Sequence, residues 1–97
     1  MAYLIDTLRQ HRDEILVIAR QYHADNVRLF GSVVRGDERQ DSDIDLLVDF
    51  QPGSTLVDQA ALIEALSNKL GRKVDVVSSR ALNRHLANRI QQEAIVL

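Results

Sequence analysis

Asp43 and Asp45 flank one apolar residue in Ser42-Asp43-Ile44-Asp45. At the entrance of a strand, residues two apart share a face, so both carboxylates lie close enough to share a cation. Left bare, two such carboxylates repel and disfavour the folded chain unless a metal or a basic group neutralises them. An all-oxygen pair suits Mg²⁺, which combines carboxylates with phosphate oxygens and water. Asp75 is a lone acid among valines in Lys73-Val74-Asp75-Val76. On a parallel neighbouring strand it joins the same face. Three carboxylates can then hold two divalent ions about 3.5–4 Å apart, one activating an attacking oxygen and both stabilising a transferred phosphoryl group. Taken alone, Asp75 reads equally well as an edge-strand acid.

Gly31-Ser32 supplies a second half. A strand that ends in Gly-Ser before a helical turn turns backbone N–H groups and a hydroxyl toward an anion, and glycine admits a phosphate close to the backbone. The pair reads as a phosphate cradle, although it is neither a Walker A loop nor a G-x-G-x-x-G fingerprint. A calcium loop beginning at Asp41 fails, because Leu46 and Pro52 stand where Gly and Glu are required. Asp41 and Ser42 read as turn residues. His11, His23 and His85 have no second ligand at metal-binding spacing, and the four aromatics are too dispersed to form a stacking platform.

These residues must be positioned by one small domain, residues 1–97, since a chain of 97 residues has length for one core. A 45% hydrophobic and 27% charged composition is that of a soluble domain, and no apolar run reaches the roughly 18–20 residues of a membrane span. The opening residues lack the pattern of a secretory signal, so a cytoplasmic location is expected. With no cysteine, thiolate metal sites and cysteine nucleophiles are excluded. Net charge is −2, but residues 1–68 balance to −6 and residues 69–97 to +4. The acidic total argues against direct nucleic-acid binding. Arg72, Lys73, Arg80, Arg84 and Arg89 are therefore expected to form a solvated face or a docking surface for an acidic partner.

Apolar spacing near 3.6 predicts an amphipathic helix from Leu4 to Tyr22. Asp25-Asn26 punctuates before a strand at Val27–Phe30. Residues 31–43 form a loop in which Ser32 caps a single helical turn through Arg35. A strand follows at Ile44–Phe50. Pro52-Gly53 turns the chain into a helix capped by Ser54 or Thr55 and ended by Gly71. A third strand runs from Lys73 to Ser78, and Leu82, Leu86 and Ile90 mark a last helix ending near Ala94. The order is α-β-(short α)-β-α-β-α. The β-α-β unit around the second helix favours parallel pairing. The fold class is α/β (α+β), a small mixed sheet with flanking helices.

Gly31-Ser32, ten residues, Asp43-x-Asp45, Arg35-Gly36 within the gap, and a later strand Asp75 together resemble the minimal nucleotidyltransferase (MNT) family of the DNA polymerase β-like superfamily. Val33-Val34 depart from the family's usual polar or basic residue followed by Ala. The resemblance implies two Mg²⁺ held by Asp43, Asp45 and Asp75, and an ATP triphosphate against Gly31 and Ser32. Asp75 would help deprotonate the acceptor. It further implies a nucleotidyltransferase that acts as the antitoxin of a HEPN ribonuclease toxin, transferring AMP to a tyrosine hydroxyl and staying in a stable complex with it. Two rival readings are a non-catalytic antitoxin that works by binding, and nucleotidyl transfer to a small molecule.

Overall fold

The computed structural model describes residues 3–81 and 84–97, with the backbone alone for residues 84–87. Its elements are α1 (Leu4–Gln10), α2 (Arg12–Gln21), β1 (Ala24–Phe30), α3 (Ser32–Arg35), β2 (Ile44–Phe50), α4 (Leu56–Leu70), β3 (Val74–Ser78), a 3₁₀ turn (Ser79–Ala81), α5 (Arg84–Glu93) and β4 (Ile95–Val96). The sheet order is β3-β2-β1-β4, with β2 and β3 parallel and β1 antiparallel to both β2 and β4. The small mixed sheet with flanking helices expected from sequence is therefore present.

Alternation along β2 sends Ile44, Leu46 and Val48 to one face. There they meet Val74 and Val76 of β3, Ala24, Val27 and Leu29 of β1, Ile15 and Ala19 of α2, and Leu62 and Leu66 of α4, all in one buried cluster. Leu47 is equally buried but points to the opposite face, outside that cluster. The same alternation puts Asp45 and Asp49 on the Leu47 face.

Four elements differ from the sequence reading. The first helix breaks at His11, whose amide donates to both Thr7 (3.3 Å) and Leu8 (3.1 Å). α1 packs against α2 and α3, whereas α2 packs against β1 and α4, so one continuous apolar stripe serves two sets of partners. β1 starts three residues earlier than Val27, because Asn26 adopts a positive φ of 53° and carries the chain through a register shift. Gly31, not Ser32, occupies the N-cap of α3, and no side chain caps that turn. Residue 82 lies outside the described residues, as does the side chain of Leu86. β4, two residues long, gives no periodic signal in the sequence.

The β2–α4–β3 crossover is locally well specified. The Thr55 hydroxyl accepts from the Asp58 amide (3.3 Å), and the Asp58 carboxylate accepts from the Thr55 amide (2.9 Å), a reciprocal cap. Gly71 ends α4 with a left-handed φ of 63°. Loss of an N-cap side chain costs about 1 kcal/mol, so Thr55→Ala should lower the melting midpoint of this small domain by roughly 4–8 °C. Thermal unfolding monitored by circular dichroism checks this, and an unchanged midpoint would refute the capping contribution.

Candidate active site

Parallel register sets the geometry. Asp45, second in β2, pairs directly with Asp75, second in β3, and with Phe30 at the end of β1. Asp43 precedes the strand by one residue and shares the parity of Asp45. The Ile44 amide donates to the Lys73 carbonyl (3.0 Å), locking the two strand entrances together. Val74 and Val76 are buried while Asp75 is exposed, so the valines that flank it in sequence serve the core and the acid faces out.

Gly31 closes the other side. It is buried, with φ 80° and ψ −153°, a backbone region open essentially to glycine. A Cβ there would lie 3.2 Å from the Asp45 carboxyl carbon and would overlap its Oδ2. α3 starts at this contact, and its first carbonyl, that of Gly31, accepts from the Val34 (3.1 Å) and Arg35 (3.2 Å) amides. The amides at the head of the turn, Ser32 and Val33, have no acceptor within the helix. Val33 is buried in the core and Val34 packs against it, so their side chains serve packing. The structure thus brings Gly31, Ser32, Asp43, Asp45 and Asp75 to one end of the sheet.

Burial, and after it the charges of Asp75 and Asp43, push the Asp45 carboxyl above the ordinary range, with Arg35 pulling the other way. The nearest cation to Asp43 is the exposed Lys73 ammonium at 3.6 Å, a weak pairing. Among the described residues, no three carboxylates or imidazoles close into a ready metal cage. The all-oxygen donors and their uncompensated charge fit a hard divalent cation.

A family model described as "Polymerase beta, Nucleotidyltransferase" matches residues 13–97. The chain belongs to this family. It is 33% identical over 88 residues to the protein adenylyltransferase MntA of Thermococcus cleftensis, covering 91% of this chain and 86% of that one. A solved structure provisionally assigned as a minimal nucleotidyltransferase superposes with a TM-score of 0.86 at 48% identity, covering 95% of this chain and 94% of that one. The complex of a tri-AMPylated Shewanella oneidensis HEPN toxin with an MNT antitoxin contains a chain that superposes with a TM-score of 0.70. That match covers 91% of this chain and 69% of that one at 20% identity, a likeness of fold.

In this nucleotidyltransferase several residues that sequence reasoning passed over support the acidic end. Arg72, expected on a solvated or docking face, donates from Nε to the Ser42 carbonyl (2.8 Å) and from its guanidinium to the Arg39 carbonyl. It thereby ties down the loop that delivers Asp43. The Glu38 carboxylate accepts from the Leu4 amide (3.0 Å) at the head of α1. At the opposite end of β2, Asp49 accepts from Arg28 (2.7 Å) and Asn26 (2.9 Å), and hydrogen bonding with Ser79 foremost holds its carboxyl below the usual range. Neither Glu38 nor Asp49 is thus a plain surface acid. None of these long-range partners has a signal in the local sequence.

A carboxyl whose pKa is raised by folding stabilises the fold below its unfolded pKa, and that contribution is lost as pH rises through the folded value. Ionised Asp45 therefore weighs against folding at neutral pH. In the absence of divalent cations, Asp45→Asn should melt above wild type at pH 7, and the gap should close as pH falls below about 4. Equal midpoints at pH 7 would show that the acids are not in conflict. Gly31→Ala should cost about 2 kcal/mol or more, from the forbidden backbone region plus the overlap with Asp45. Urea unfolding measures it, and a near-neutral result would contradict the described contact.

Proposed function

We propose that this nucleotidyltransferase transfers AMP from ATP to a hydroxyl, a tyrosine's, of a partner HEPN ribonuclease, and acts as that toxin's antitoxin. The observation that carries this reading is the Asp45–Asp75 register with Gly31 pressed against Asp45, which sets a phosphate-compatible turn beside an uncompensated acidic pair. The relative named as a protein adenylyltransferase and the AMPylated toxin complex of like fold support the choice of AMP and of a protein acceptor.

In this reading Asp43, Asp45 and Asp75 would hold two Mg²⁺. When bound, the ions supply the positive charge that activates the attacking oxygen and balances charge gathering on the transferred phosphoryl group. The chain's own residues do the rest. Gly31 lets the triphosphate approach the backbone, and the Ser32 and Val33 amides with the Ser32 hydroxyl hold the end that leaves as pyrophosphate. The acceptor oxygen attacks the α-phosphorus, the bond from that phosphorus to the bridging oxygen breaks, and the hydroxyl proton passes to the Asp75 carboxylate. Asp75 is exposed and the side chain of Asp43 is 39% accessible, so the acceptor reaches the acids from solvent, as another chain's side chain would. No helix among the described residues is long and apolar enough to cross a membrane. A cytoplasmic location is part of this proposal.

With the co-purified partner and MgATP, wild type should add AMP-sized mass increments to a partner tyrosine. Asp45→Asn should slow this by about a hundredfold or more, as expected when charge at the reacting centre is lost. Intact-mass spectrometry reads both. If no increment appears with wild type and Asp45→Asn still neutralises the toxin, the catalytic reading fails and a purely binding antitoxin replaces it.

A further inference from the structure

A four-residue helix has no stability of its own, since one turn fixes several dihedrals for few hydrogen bonds. Yet α3 carries the backbone that faces Asp45. Its N-terminal end continues directly from β1, and Val33 is buried beneath it. At its C-terminal end the Gly36 and Asp37 amides donate to the Ser32 carbonyl, which closes the turn on itself, and among the described residues the side chain that ties this end to a distant element is that of Arg35. Arg35 donates from Nη1 to Glu93 (2.6 Å) and from Nε to Asp37 (3.3 Å). Glu93 is the last residue of α5, 58 positions away, and β4 begins two residues later. β4 pairs with β1 at Arg28 and Leu29, the latter two residues before Gly31. The chain thus closes a ring in which β1 leads through Gly31 and α3 to Arg35, then through Glu93 and β4 back to β1.

We propose that Arg35 and Glu93 are positioning residues that clamp the Gly31–Ser32 turn against Asp45 in the geometry that receives the triphosphate. Two carboxylates already balance the guanidinium, so Arg35 is an internal fastener and not a ligand for an incoming anion. Those same carboxylates, Glu93 foremost, hold its pKa above the ordinary value. The pair is half-exposed, and such pairs add little to global stability. Positioning is a more sensitive quantity: a displacement of about 1 Å at a reacting site can cost a hundredfold. A clamp and a merely structural ion pair are therefore separable by experiment.

The inference rests on the proposed binding of ATP at this turn, and the test uses the full chain. Three readouts are compared for wild type, Glu93→Gln and the charge exchange Arg35→Glu with Glu93→Arg. These are the melting midpoint, exchange of the Val34 and Arg35 amides without nucleotide, and the dissociation constant for MgATP by calorimetry. Glu93→Gln should melt within about 3 °C of wild type. Its Val34 and Arg35 amides, which bond to the Gly31 carbonyl, should exchange about tenfold faster, and MgATP should bind about tenfold more weakly. The charge exchange should restore part of both losses, since the pair is re-formed while the bond to Asp37 is lost. Unchanged exchange or unchanged MgATP affinity overturns the clamp, as does a midpoint loss well beyond that range. Wild type that fails to bind MgATP overturns it as well. Wild type that binds MgATP but transfers nothing sinks the adenylyl-transfer reading alone, and the clamp is then judged on the binding and exchange data.

Discussion

Two aspartates held side by side by strand register, with no side-chain cation paired to either among the described residues, are the constraint around which the molecule is organised. Asp45 and Asp75 are paired because β2 and β3 run parallel with their second residues aligned. That alignment is fixed by the opposite face, where Ile44, Leu46 and Val48 must meet Val74 and Val76 inside the core. A slip of one residue would turn every one of these side chains to the wrong face. Hydrophobic burial on one side of the sheet thus enforces a charge conflict on the other, and the sheet can sustain it because burial of many apolar side chains outweighs one strained acidic pair.

The surroundings of the pair follow from the same constraint. Asp45 has space for its carboxyl only because the neighbouring position at the end of β1 has no side chain, and the backbone conformation there is one that glycine tolerates. Several other acids have partners of their own. Asp49, at the far end of β2, is matched by Arg28 and Asn26, Glu38 accepts from the head of α1, and Asp37 and Glu93 share Arg35. Asp45 and Asp75 are the acids that register sets side by side, where an arriving cation would be useful.

Legibility in the sequence tracks how local each determinant is. Ile44–Phe50 was readable to the residue because its apolar run, its two aspartates and the Pro52-Gly53 turn all lie within one window. The ends of α4 were readable from Thr55 and Gly71 for the same reason. The alignment of Asp75 with Asp45 needed only the parallel topology that a helical crossover implies. What escaped depended on partners far along the chain. The break at His11 reflects two packing surfaces under one unbroken apolar stripe. The extension of β1 through Asn26 required a positive φ that the Asp-Asn pair signals only as a turn. β4 and the Arg35–Glu93 contact exist because the chain's end returns to β1, and two residues carry no period from which to infer that.

The segregation of charge along the chain takes on a different meaning in three dimensions. The basic last third looks in sequence like a surface kept for an acidic partner, yet three of its cations are directed inward to the acidic two thirds. Lys69 reaches Glu14 across α4 and α2 at 2.7 Å and, by hydrogen bonding foremost, lowers that carboxyl's pKa. Arg72 grips the carbonyls of Arg39 and Ser42, and Lys73 stands near Asp43. Exposed pairs of this kind contribute little stability individually. Arg72 differs, because its acceptors are backbone carbonyls in a loop whose own restraints are the reciprocal hydrogen bonds between Arg39 and Ser42, and each added bond removes further conformational freedom. The complementary charge therefore acts mainly on the placement of the loop ending at Asp43.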